Sequence, residues 1–487
     1  LQALQRGELA AKRILLIVPA QYTLKAEEEA FEIIGGEGFF DFHIMSGNKL
    51  LETVLRETGH PGLTPVNNLG RTMLLRRIAS DNAPNLKLFS AVAKEREFLK
   101  LAGDFIVQLK QNRMESDDLD KLMASLDENS LLREKLADMQ LLCSGYEKAM
   151  AGRFTDSEDR IRFVTEKVSQ CRFLQEAELW YFGFYSFTLR EIDLLTALAR
   201  YSCGLNLMLL KSTREEDEEL YQPPHRAAAL LFKAMAEQGI GTSSEALPPA
   251  EDKKPQTTVL CSSNPFTQAE TIGAEILRLV REEKKSFGEI AVLTAENAPG
   301  TKTLVRVFSS MGIPYFIDSK RSMMHTPAAA LLSSLLDMSA DGLREENIIT
   351  FLKQGLVPLA DEDTCLEFEN YIRRYHLRGK AFLSPLKYGK AATGEELFAR
   401  LEQLRDALQT AVEPFLNAFG RTATAQERCN VLYHYLDESL HLPQTLQQTA
   451  VRLAEEGFAD AAEETAQTWQ SICSLLDQTV ELLGGEE

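Results

Sequence analysis

No stretch of this 487-residue sequence approaches the ~18 consecutive apolar residues of a membrane-spanning helix. The longest apolar run near the start, residues 14–18, is bracketed by Arg13 and Pro19 and has the length of a strand. No signal peptide opens the chain. No two of the seven cysteines (Cys143, Cys171, Cys203, Cys261, Cys365, Cys429 and Cys473) form a C-x-x-C pair. They are scattered like isolated buried thiols in a reducing compartment, which excludes a cysteine-held metal or cluster in this segment. No G-x-x-x-x-G-K-[S/T] loop is present, so the usual cradle of backbone N–H groups for a triphosphate is missing. The nearest imitation, residues 299–303, lacks the first glycine because position 295 is alanine, and it lacks the Gly-Lys pair. It reads as an ordinary strand-to-helix loop. No carboxylate follows the strand expected at 178–182, where a nucleotide-hydrolysing site seats Mg²⁺; the chain runs into Gly183-Phe184-Tyr185 instead. A net charge of −19 also rules out nucleic-acid binding through the overall field, although local basic patches stay open.

What is present is a sequence 44% hydrophobic and 26% charged, long enough for about three domains each with its own core. The most informative stretch is 286–327. The apolar run 290–293 reads as a buried parallel strand. Leu304, Val307, Phe308 and Met311 then recur at helical spacing until Gly312. Residues 313–317 read as the next strand, 318–324 as a charged loop, and Thr326-Pro327 as a helix start. This is a βαβ unit of a layered α/β domain. The same alternation opens the chain, with strands near 14–18 and 39–45, and returns with strands at 178–182 and 205–210 around a helix at 188–200. Residues 69–150 carry helical periodicity almost throughout and read as a helical insertion. A proline- and charge-rich tail ending near 256 is the best linker. A strand at 257–261 and a helix at 268–283 lead into the central stretch, and from about 341 onward the pattern is helical. The expected divisions are 1–68 with 151–250 as a first α/β domain, 69–150 as its insertion, 257–340 as a second α/β domain, and 341–487 as a helical subdomain. The chain begins at Leu1 in mid-helix character, so it reads as a piece of a longer protein.

Candidate contact residues are cationic and aromatic. Tyr371, Arg373, Arg374, Tyr375, Arg378 and Lys380 interleave base and ring, which suits phosphate contact and base stacking and equally suits the polar face of a helical bundle. Arg71, Arg76 and Arg77 form a second cluster. Lys320 and Arg321 sit in the loop 318–322, where an open α/β sheet places ligands. His434, Asp437, Glu438 and His441 have spacings that could face one metal, but no further ligand cluster accompanies them and a surface helix is the simpler reading. The acidic-basic runs 251–253 and 282–285 read as solvated charge.

At GEIAVLTAEN and MGIPYFIDSKRSMMHTP the sequence resembles the second motor domain of UvrD-type superfamily 1 helicases. Within that group it is most similar to the AddB (RexB) family of subunits of bacterial AddAB helicase–nucleases. ILLIVPAQYTLKAEEEAF, LGRTMLLRRIA, GRFTDSEDRIRFVTEKV, AELWYFGFYSFTLREIDLL and FENYIRRYHLRGKAF follow in the family's order. The resemblance implies an α/β fold of two RecA-like, P-loop-NTPase-type parallel-sheet domains, each with a helical insertion. It implies a parent protein in the bacterial cytoplasm that uses ATP, Mg²⁺ and a 4Fe–4S cluster, with the phosphate loop upstream of Leu1 and the nuclease domain and cluster beyond Glu487. No cofactor or catalytic residue is then expected in this segment. Motor-active relatives carry an acidic pair where Phe182-Gly183-Phe184 stand, and an arginine where Thr294-Ala295-Glu296 stand. Both departures suit a silent motor, and the resemblance implies one that contacts single-stranded and double-stranded DNA and scans the unwound strand for a recombination signal as a heterodimer with an AddA-type partner. An active helicase fragment and a purely structural, partner-binding scaffold are the alternative readings.

Overall fold

The computed structural model describes residues 13–34, 41–128, 130–212, 218–247, 257–295, 300–317 and 323–485. They form two compact units, one of residues 1–244 with 331–487 and the other of residues 245–330. Among them no helix is long and apolar enough to cross a membrane.

The first unit is built on a parallel sheet in the order β2-β1-β5-β6, with β1 Arg13–Val18, β2 Phe42–Ser46, β5 Ala177–Tyr181 and β6 Gly204–Leu207. β1 is central, flanked by ladders on both sides: Ile17 lies opposite Met45 of β2 and Tyr181 of β5. A strand covered on both faces must be apolar almost throughout, and RILLIV is. Leu15, Ile17, Leu179 and Tyr181 pack on one face beneath three helices, α2 Gly47–Thr58, α7 Ser157–Lys167 and α8 Leu189–Tyr201. Ile14 and Phe42 pack on the other face beneath Ala30 of α1 Thr23–Ile34.

The helices begin where side chains can take their free N–H groups. Ser46 accepts from the N–H of Lys49 at the start of α2. Thr188 and Glu191 cap α8 reciprocally. Asp156 accepts from the N–H groups of Glu158 and Asp159 at the start of α7. Each such cap is worth about 1 kcal/mol.

The insertion expected at 69–150 is helical: α3 Asn68–Asp81, α4 Arg96–Gln111, α5 Ser116–Ala124 and α6 Leu131–Met150. Asp138 fixes the loop between α3 and α4 by accepting from the N–H groups of Lys87, Leu88 and Phe89. The two-residue parallel pair of β3 Thr64–Pro65 and β4 Phe154–Thr155 ties the block's entry to its exit. The block's core also takes in Leu482. That residue lies at the end of the far C-terminal series, α12 Pro327–Asp341, α13 Glu345–Lys353, α14 Glu362–Tyr375, α15 Glu395–Phe419, α16 Ala425–His434, α17 Leu442–Glu455 and α18 Ala459–Leu483. The helical stretches separated in sequence at 69–150 and 341–487 therefore share a core. Between β6 and residue 244 the first unit adds α9 Gln222–Glu237.

The second unit carries α10 Pro265–Glu282 and α11 Gly300–Met311, packed through Ile276, Phe308 and Ile313. Gly312, at φ +68°, ends α11 as the sequence indicates. The strands expected at 257–261, 290–293 and 313–317 form no ladder among the described residues. Val259, Leu293 and Phe316 are 82%, 95% and 89% exposed. Among the described residues of 257–340 no paired strand is therefore seen. An extended segment becomes a strand only when a neighbour takes its N–H and C=O groups, and among the described residues none of these segments has a paired one.

Four of the seven cysteines are buried, whereas Cys203 and Cys261 are exposed. Cys203 precedes the edge strand β6, and Cys261 lies on a segment that forms no ladder among the described residues.

Candidate nucleic-acid interface

The C-terminal edge of a parallel sheet is where α/β proteins place ligands. Here that edge is aromatic. After Tyr181 the chain turns through Phe182 and Gly183, the latter at φ +84° with Pro19 against it. Phe184 and Phe187 pack on the Tyr181 ring at 5.6 and 6.3 Å, and Phe182 lies 5.9 Å from Tyr22. The Tyr22 hydroxyl donates to Glu29 at 2.6 Å. The residues directly after β5, Phe182-Gly183-Phe184-Tyr185, include no carboxylate. The groups that would seat a nucleotide phosphate are also missing at residues 300–303, and no three His, Cys, Asp or Glu residues converge to hold a metal ion among the described residues. His434 pairs with Glu438 at 3.0 Å, while His441 caps α17 in a left-handed conformation, away from a shared ligand geometry.

The cation–aromatic stretch spans the end of α14 and the turn that follows it, with Tyr371 buried. Arg373, Arg374 and Tyr375 occupy the last turn of α14, and Arg378 and Lys380 follow on the short 3₁₀ turn Gly379–Leu383 and its approach. Arg373 is committed to Glu369 at 2.6 Å and Glu345 at 3.4 Å. Lys353 first, then Arg373, holds the Glu369 carboxyl below the usual carboxylate range. Arg374, Arg378 and Lys380 are exposed and make no ion pair among the described residues. Tyr375 stacks between Tyr371, 4.6 Å away, and Tyr388, 6.4 Å away, with the Arg374 guanidinium 5.7 Å from its ring. Tyr388 had no signal in the sequence, because it lies outside any periodic element and reaches the others only through the fold.

The second cluster is not brought together on the surface. Arg76 is exposed and Arg77 pairs with Asp81 at 3.9 Å. Arg71 is only 5% exposed and turns inward, where its charge helps hold Asp156 ionised beside Tyr146. Its Nε has no partner among the described residues. That corrects the expectation of an outward-facing arginine. The same hub holds Lys110, which donates to Asp156 at 2.7 Å and Asp159 at 2.8 Å. Burial pushes the Asp156 carboxyl up, but Lys110 and the N–H donors outweigh it and leave the carboxyl below its ordinary value. Burial, the largest effect, pushes the Glu158 carboxyl up despite the hydrogen bond from Gln111 and the charge of Lys110. Lys320 and Arg321 lie outside the described residues.

A four-stranded parallel sheet joined within one unit to a large helical body places the chain among mixed α/β proteins. The chain belongs to the AddB family: residues 2–260, more than half of it, match the family model described as ADDB, N-terminal. It is similar to curated proteins named as the B component of an ATP-dependent helicase/deoxyribonuclease. The one from Alkaliphilus oremlandii is 27% identical, covering 97% of this chain and 45% of that protein. The one from Alkaliphilus metalliredigens is 26% identical, covering 100% and 46%. The one from Bacillus cereus strain B4264 is 27% identical, covering 98% and 45%. The chain thus spans a little under half the length of the curated relatives it matches.

Proposed function

We propose that this chain is the catalytically silent, DNA-contacting portion of a DNA-repair helicase–deoxyribonuclease subunit, working in the bacterial cytoplasm. It binds an unwound single strand and scans it for a recombination signal while an AddA-type partner translocates. The single observation that carries the reading is the pairing of two features. The sheet's ligand edge ends β5 in Phe182-Gly183-Phe184, and the α14 surface offers Arg374, Arg378 and Lys380 free of carboxylates beside stacked tyrosines. The RecA-like character of both α/β regions, and the contact role of Lys320 and Arg321, belong to the same proposal.

The binding chemistry follows from charge and rings. Three unpaired cations release counterions when they meet phosphates, so affinity falls steeply with salt despite the net charge of −19. Rings give sequence-tolerant stacking. Arg373 contributes less, because the carboxylates of Glu369 and Glu345 already occupy it. The test is fluorescence anisotropy with a labelled single-stranded oligonucleotide at low salt. Joint reversal of Arg374, Arg378 and Lys380 to Glu is expected to weaken binding at least tenfold and to flatten its salt dependence, whereas Arg71→Gln leaves the salt slope unchanged. Affinity unchanged by the triple reversal would remove the assignment. Separately, DNA-stimulated ATP turnover by the complete protein without its partner would overturn the silent-motor reading.

A further inference from the structure

We propose that Tyr388 is a stacking platform for one base of a single-stranded nucleic acid, with Arg374, Lys387 and Lys390 taking the phosphates that flank it. This rests on the reading of the α14 surface given above and names the group that would contact a base.

Tyr388 is a large ring left 62% exposed in a place where the chain is held firmly. The Tyr371 hydroxyl donates to the Tyr388 carbonyl at 2.7 Å. Tyr371 itself is buried, packed edge-on against Phe398 at 6.4 Å and tilted on Tyr375 at 4.6 Å. Tyr375 then faces Tyr388 with their planes only 17° apart. The ring contacts run from half-buried Phe398 through buried Tyr371 and half-buried Tyr375 to Tyr388 in water. One face of Tyr388 is turned toward Tyr375, and its large exposure leaves the outer side free for another flat ring. Gly389, at φ +84°, keeps the tyrosines close: a Cβ there would run into the Tyr375 ring and hydroxyl. The platform is therefore preorganised, and binding pays little to order it.

The charges select the partner. Lys387 and Lys390 flank Tyr388 in the chain, and Arg374 lies beside the Tyr375 ring. Among the described residues, only Lys390 of these has a carboxylate in ion-pair range, Glu395 at 3.9 Å. The groove that includes Glu395 carries four carboxylates, Asp363, Glu367, Glu395 and Glu396, against one cation, Arg400, itself paired with Asp361, so its net negative charge disfavours phosphates. A duplex has its base faces already stacked on one another, whereas a single strand offers them to a ring.

The experiment uses the intact chain and two labelled probes, oligothymidylate and an abasic oligonucleotide of equal length, read by anisotropy at low salt. The unaltered chain is expected to prefer oligothymidylate. Tyr388→Ala is expected to weaken that probe about tenfold and to erase the preference, while Tyr388→Phe keeps both. Tyr388→Trp places an indole at the same position, and its fluorescence is expected to be quenched by oligothymidylate and not by the abasic probe. If the unaltered chain binds oligothymidylate and Tyr388→Ala changes neither affinity nor preference, the platform is refuted while the α14 reading stands. If the unaltered chain binds neither probe, both fall. Binding of both probes alike, with no indole quenching, also overturns the platform and leaves Tyr388 to a different kind of partner.

Discussion

The two α/β regions of this chain are written in the same alphabet and end differently. Residues 13–207 and 257–317 both alternate short apolar runs with amphipathic helices. In the first, β1 finds β2 and β5 on either side, and Leu15 and Ile17 are fully buried. In the second, α10 and α11 pack together, but the extended segments beside them carry Leu293 and Phe316 into water. Apolar alternation sets which residues prefer an extended, covered environment. The ladder has to come from neighbours, and a segment whose neighbours are not at hand keeps the composition of a strand without becoming one.

The comparison can be broken most forcefully at the buried ion hub. Asp156 has no exposed side-chain area and serves Lys110, Tyr146 and the N-terminus of α7 at once. Asp156→Ala leaves Lys110 with Asp159 alone inside the protein. It is expected to cost about 3–5 kcal/mol in a denaturant titration followed by circular dichroism. The second unit's ion group, Arg278 with Glu275, Glu282 and Glu283, is exposed, and Arg278→Ala is expected to leave the transition where it was. A loss at Arg278 matching that at Asp156 would mean that the two regions are held alike.

Next in size is a pair of truncations. Ile17→Ala in β1 removes fully buried methyl groups and is expected to cost about 2–4 kcal/mol, whereas Leu293→Ala is expected to change stability by about 0.5 kcal/mol or less. Phe316→Ser should in addition lower the binding of an environment-sensitive hydrophobic dye. Equal costs at Ile17 and Leu293 would show that the second region's segments are covered in solution.

The smallest expected effect is a slope. Glu158 has its folded pKa raised by burial, so the native state keeps a proton that the unfolded chain has released. That contribution to stability therefore falls as pH climbs from the ordinary glutamate value through the raised one. Asp156 runs the other way: its folded value is lowered, and its contribution is present above the ordinary aspartate value and lost as pH falls through the lowered one. Glu158→Gln should remove the decline on the alkaline side while leaving the acid limb in place. Denaturation midpoints across the acid-to-neutral range check this, and an unaltered slope would count against the buried carboxyl.

Much of the first region can be read directly from residue order. The strand at 14–18, the helix from Gly47 to Thr58, the cap at Asp156 and the helix after Thr188 all rest on local signals, namely short apolar runs, capping side chains and a 3.6-residue period. What could not be read depends on distant partners. Arg71 looks like its neighbour Arg76, and only packing against α6 and Asp156 turns it inward. Lys110 meets Asp156 across 46 residues of sequence. Tyr388 joins a ring stack whose other members lie on helices, and nothing in its own surroundings in the sequence marks it. Membership of the AddB family was legible from its motifs, because motif order survives where pairwise identity is 27%.

Gly70 lies where a Cβ would strike Leu482 and Gln478, so the last helix of the chain rests directly on backbone laid down more than four hundred residues earlier. Boundaries drawn along the sequence therefore misname the folding units. A truncation at residue 458 would strip the lid from a helical block finished before residue 151, and anyone expressing the early portion alone would have to replace Leu482 with something equally greasy.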